Sequence, residues 1–375
     1  MTPLERYFKT LLFDSPDKIP FKPGRPRRST LARWHSEGLP ENAGFFAELL
    51  RILGIEGSKD PPVSYLEVTT KMMPEFEEKV LSHENGHYIV QDWMGAITEI
   101  SDEFDYTDLR QASDFVTRKW HKFPVETETD WESMKKRYDI NTYDRFSETF
   151  AKNSRDEQAK GALIVMSVSG PFWQMREWCG FEGLCILMAE QPEFVDEMAK
   201  FWNDYIASIL DRIFNAGAVL DRIIFNEDMA YKAHAMISPA MTRRFLMPSY
   251  KRWTQQLKQG GTLLIGVDSD GYVEDLIPLW IESGFNFNTP IEVAAHNDIV
   301  NFRAKFGKKM AFDGGIDKRC IAAGGSAIID ELDRIAPVVK DGGYIPSCDH
   351  GVPHDISWKN FIEYSSLLAE LTGWK

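Results

Sequence analysis

The sequence predicts an α/β protein of the TIM type: an eight-stranded (β/α)8 barrel with an N-terminal extension, folded as one domain over residues 1–375. Three observations carry this. Short apolar runs alternate with helix-period stretches from residue 161 to the C-terminus, giving six strand–helix units with room for two strands before them. Each run stops abruptly in polar residues, as strands do where their carboxyl ends build a functional rim. The pattern is plainest over 309–355. There Met310–Phe312 runs into the polar cluster Asp313 to Asp317, and Tyr344–Pro346 into Ser347 to Gly351, with Ile328, Ile329, Leu332 and Ile335 on one helical face between them. A doubly wound open sheet is the alternative, but no GxGxxG follows a first strand and no P-loop is present.

Taken in order, Leu4, Tyr7, Phe8, Leu11 and Leu12 give an opening amphipathic helix over 1–15. Prolines 20, 23 and 26 forbid a helix in the following segment and favour a looping or extended path. Ser29 is placed to cap the next helix, and Phe45, Phe46, Leu49, Leu50 and Leu53 mark another. Val63–Thr69 alternates as a strand. Residues 76–97 read as a β-hairpin turning at Asn85-Gly86, a type I′ signal. Residues 98–160 are polar and poorly periodic, and suggest short helices. Strands follow at 162–168, 222–225, 262–267, 285–289, 310–312 and 343–346. The long helix over 192–216 stops at Gly217, Ser238-Pro239 starts another, and Ser357 caps the last. The stretch 169–180 reads as a rim loop opened by Gly170-Pro171.

A formal net charge of −14 and a pI near 5.1 argue against nucleic acid or an anionic membrane surface as partner. Four cysteines in 375 residues make no disulfide scaffold, which favours a reducing cytoplasm; no signal peptide and no membrane-spanning run is visible. Aromatic residues reach 13%, with 11 Trp, enough for a generous core or a wide apolar pocket.

Strand ends carry the candidate chemistry. Glu227, Asp268 with Asp270, and Asp313 follow the strands at 222–225, 262–267 and 310–312, and His350 lies just past the last strand. Such a set can hold a zinc ion with an open coordination position through His350, Asp268, Asp270 and Glu227. Alternatively, crowded carboxylates raise one another's pKa and leave one as a general acid near neutrality. Single polar residues at strand ends are usually caps, so the weight lies on the combination. Cys348 is a lesser thiolate candidate; His296 and His354 read as structural. The arginines 25, 27, 28 and 33 are either a solvated face or a carboxylate clamp on a substrate, and Arg25 is the one taken as a catalytic candidate. Trp34, Trp173 and Trp178 are candidates to wall a pocket, with Asp313 as a further substrate contact.

These residues resemble the uroporphyrinogen decarboxylase-like barrels, a superfamily that includes cobalamin-independent methionine synthase domains and corrinoid-protein methyltransferases. The likeness is carried by NEDMAYK (226–232), DSDG (268–271), GFNFNTPIE (284–292), FGKKMAFDGGIDKR (306–319) and GGYIPSCDHGVP (342–353), with TLARWHSEGLP and FPVETETDWESMKKRYD closer to an O-demethylase-like branch. Decarboxylases of the superfamily carry RQAGR near the first strand; here PGRPRRSTLARWH supplies arginines without that motif. The thiol-methylating members bind zinc through His-x-Cys and a later Cys; the matching positions here are Asp268, Asp270 and His350, hard ligands in place of soft ones. The resemblance therefore implies methyl transfer from a small O-methyl donor to a corrinoid (cobalamin) carried by a partner protein. Zinc or an acid would activate the leaving oxygen, and the alternative is decarboxylation of a carboxylated substrate. It also implies a possible homodimer.

Overall fold

Prolines decide how the sheet begins. The structure, a computed structural model, describes residues 1–56, 60–103, 110, 117–141 and 145–375. Helix α1 (Pro3–Leu11) is closed at its start by a Thr2–Glu5 capping box. After the proline-rich segment come α2 (Arg28–Ser36), α3 (Phe45–Leu53) and strand β1 (Val63–Tyr65). Strands β2 (Lys79–Glu84), β3 (His87–Gln91), β4 (Ile97–Ser101) and β5 (Arg118–Lys122) form a separate antiparallel sheet. Helices α4 (Glu128–Lys135) and α5 (Phe150–Ala159) lead to β6 (Leu163–Ser169), then α6 (Pro171–Cys179), α7 (Phe181–Glu190) and α8 (Pro192–Asn215). The remaining units are β7 (Arg222–Asn226), α9 (Met247–Gln259), β8 (Leu264–Asp268), α10 (Ile277–Ser283), β9 (Phe287–Ile291), α11 (Ile299–Phe306), β10 (Ala311–Ile316), α12 (Lys318–Ala323), α13 (Ser326–Asp341), β11 (Tyr344–Cys348) and α14 (Trp358–Leu371).

Among the described residues, seven strands pair in parallel in the order β1-β6-β7-β8-β9-β10-β11, a curled sheet of TIM type. The sequence predicts eight. In place of the remaining strand, the proline-rich segment lies beside β11: the Cys348 amide donates to Pro23 O, Val352 N to Arg25 O, and Arg27 N to Val352 O. Pro20, Pro23 and Pro26 have no N–H to give, so only an isolated bridge at Pro26 forms. Between this segment and β1 no ladder is formed among the described residues.

Alternation along the strands stacks two layers inside the sheet. Leu163, Val165, Leu264, Phe287, Ala311 and Ile345 form an apolar floor, closed below by Tyr7 and Leu11 of α1. Farther along the same faces stand Asp268, Thr289, Asp313 and Ser347. The floor is thus sealed and the polar layer opens to the rim.

The hairpin expectation is realised: β2 and β3 pair antiparallel, with Asn85 and Gly86 both at positive φ (52° and 77°), as a type I′ turn needs. β4 and β5 extend it into a four-stranded sheet within the stretch expected to hold short helices. β5 (RKWHK) is largely exposed and shows no apolar alternation. The expected rim loop after Gly170 is instead helix α6, which Pro171 opens at its first turn. Among the described residues, no helix is long and apolar enough to cross a membrane.

Candidate active site at the sheet mouth

A cavity of about 780 Å³ opens over the polar layer. It is lined by Asp268, Asp270 and His350, by Lys22, Arg25 and Asp60, and by Asp313, Ser347 and Thr289. Phe21, Phe45 and Phe46 add apolar wall.

Asp268 ends β8 and keeps its proton unusually well. Burial pushes its carboxyl up to about 7, and the charges of Asp270 and Asp228 push the same way. Two residues on, Asp270 Oδ2 lies 3.0 Å from His350 Nε2. That hydrogen bond lifts the imidazole above its ordinary value, against the opposing effect of burial. The acid side of the cavity therefore holds a carboxyl that titrates near neutrality next to an imidazole biased toward its charged form.

Elsewhere in the cavity, the Lys22 ammonium is ion-paired with Asp313, whose other oxygen accepts the Ser347 hydroxyl at 3.0 Å. With 45% of its side-chain surface accessible, Lys22 faces the cavity and remains reachable by a ligand. Burial would lower its pKa, but the Asp313 charge and hydrogen bond raise it. Lys22, Asp60 and Ser347 were not singled out from sequence as site residues. The clue was a lysine three positions before Arg25, in a segment whose prolines erase any periodicity.

The sequence candidates do not all meet here. Asp268, Asp270, His350, Asp313 and Arg25 do. Glu227 is fully buried outside the cavity. Its carboxylate accepts the Tyr250 hydroxyl and, at 3.0 Å, the Trp173 amide in the first turn of α6. Burial pushes it up to about 7, against those hydrogen bonds. A side chain at Gly170 would collide with it, its Cβ falling 2.1 Å from the Glu227 carboxyl carbon. Trp34 belongs to the core: its Nε1 donates to Ile356 O at 2.9 Å and its ring packs 4.6 Å from Phe361. Trp173 is half-buried outside the cavity lining, its Nε1 on Glu177 at 2.6 Å and Arg176 over its ring. Trp178 is fully buried. Burial pushes the Cys348 thiol up to about 12, so without a metal it stays protonated at neutral pH.

The zinc expectation meets a donor set that does not converge. Glu227 faces away, and Asp270 and His350 are bonded to each other. Among the described residues, no three His, Cys, Asp or Glu side chains gather as metal ligands would. The residues as placed do not fit a resident metal, and the chemistry below uses none.

Comparison with known proteins agrees with this architecture. Over 99% of both chains the structure is similar to a methyltransferase from Methanosarcina mazei, with TM-score 0.58 and 12% identity, a likeness of fold. A weaker similarity, TM-score 0.39 at 14% identity over 61% of this chain and 67% of the other, is to a B12-independent methionine synthase from Shewanella sp. W3-18-1. No curated protein matches the sequence. The family model for uroporphyrinogen decarboxylase matches residues 119–368, spanning β5 to α14 and so most of the cavity's strands. The chain belongs to the uroporphyrinogen decarboxylase (URO-D) family.

Proposed function

We propose that this protein transfers a methyl group from a small O-methyl donor to the cobalt of a corrinoid carried by a partner protein. One observation carries the reading: Asp268, a carboxyl pushed up to about 7, lines the cavity beside the Asp270–His350 pair. A methyl ether leaves poorly until its oxygen is protonated, and a carboxyl that still holds its proton near neutrality can supply one. The electron pair of the acceptor forms the bond to the methyl carbon as the carbon–oxygen bond breaks. The Asp268 proton passes to the departing oxygen, which leaves as an alcohol. In this reading His350, whose charge is felt at Asp268, restores that proton.

A second reading, decarboxylation, has the cations of the cavity in its favour. Lys22 and Arg25 line the cavity, and two cations there could grip a carboxylated substrate. The test is to incubate the protein with a panel of methyl ethers and cob(I)alamin, and separately with carboxylated substrates. Methylcobalamin is the product expected; carbon dioxide without methyl transfer would favour the second reading.

A further inference from the structure

We infer that Lys318 is a positioning residue that holds the Asp270–His350 pair together by tying the loops that carry it. The inference rests on reading that pair as part of the site, and it adds a residue outside the cavity on which the pair depends.

Lys318 opens α12, just past β10. Its ammonium lies 3.4 Å from Asp349 Oδ1 and 3.6 Å from Glu292 Oε1. Asp349 is the neighbour of His350 and is fully buried. Its Oδ2 accepts the Val293 amide at 2.9 Å, while Oδ1 has the Lys318 ammonium as its ion-pair partner. Glu292 Oε2 accepts the amide of Gly271, the neighbour of Asp270, at 3.1 Å. Asn297 completes the tie, its Nδ2 donating to Gly271 O at 2.7 Å and to Glu292 O at 2.9 Å. Gly271 has φ 82°, and a Cβ there would meet Ala230 O at 2.4 Å, so this turn must be held through its backbone. Loops after β8, β9 and β11 thus converge on one ammonium supplied after β10. Without it, the ionic tie from the loop after β11 to the loop after β9 is gone and only the Val293 amide still holds Asp349 there, so the loops that carry Asp270 and His350 separate.

The test uses the full chain labelled with 15N-histidine. A downfield His350 Nε2–H resonance, assigned by its loss in Asp270→Asn, reports the pair. We expect that resonance to be lost in Lys318→Met, kept in Lys318→Arg, and still absent in Lys318→Met/Asp349→Asn, where no buried charge is left unpaired. Thermal melts of each variant confirm folding. An unchanged resonance in Lys318→Met overturns the inference. Its return in the double variant also overturns it, by reducing Lys318 to a neutraliser of Asp349. A wild-type spectrum without any resonance sensitive to Asp270→Asn removes the pair itself, and with it the reading of the site.

Discussion

His350 Nε2 and Asp270 Oδ2 stand 3.0 Å apart across the mouth of the sheet, although 80 positions separate them in the chain. Because the bond raises the folded-state pKa of His350 above 6.5, the pair adds stability that is fully present below about 6.5 and is lost as pH rises through the raised value. Asp270→Asn removes that contribution. Thermal melts across this range should show the wild type losing more of its stability than the variant on going from mildly acid to alkaline pH. Parallel curves would contradict the pairing.

Asp268 predicts a slope of the same sign, with a different cause. Its folded value of about 7 lies above the ordinary 3.8, so the fold binds its proton more tightly than the unfolded chain does. Stability is therefore lost as pH rises from 3.8 through about 7, and the loss is complete above. Asp268→Asn, which cannot ionise, should melt at a higher temperature than wild type above about 7, with the difference shrinking toward acid pH. A variant less stable than wild type at alkaline pH would count against the raised value.

Glu227 and Tyr250 form a buried pair outside the cavity. Tyr250→Phe leaves a buried carboxyl short of a donor and should cost about 1–3 kcal/mol in denaturant unfolding. Ligand binding in the cavity should be unaffected, because neither residue lines it. Loss of binding in a variant that still folds would place Glu227 back in the site.

Trp34 is fully buried against Trp358 and Phe361. Trp34→Ala should cost about 3–5 kcal/mol of stability, as large-to-small core changes do. A stable variant with weakened ligand binding would restore Trp34 as a pocket wall.

The sequence made legible what depends on period and position. Apolar runs ending in acids located Asp268, Asp270, Asp313 and His350, because inward-facing residues at the carboxyl ends of parallel strands meet in one cavity. The same rule failed for Glu227, which sits one residue past inward-facing Asn226 and so turns under α6; strand alternation applied to β7 would have shown this. Lys22 escaped because prolines leave its segment without a period. Trp34 was read as pocket when its neighbours at 358 and 361, more than 300 residues away, make it core. Closure of the sheet escaped for a related reason: a proline-rich edge supplies side chains to the cavity without joining the ladder.

The central claim, that Asp268 supplies the proton to the leaving oxygen, is tested most directly by single-turnover methylation of cob(I)alamin on both sides of pH about 7. The wild-type rate should fall as pH rises through that value, and Asp268→Asn should be slower by about 10²–10⁴-fold below it, with the difference shrinking above it. Methyl transfer by Asp268→Asn at the wild-type rate would contradict the account.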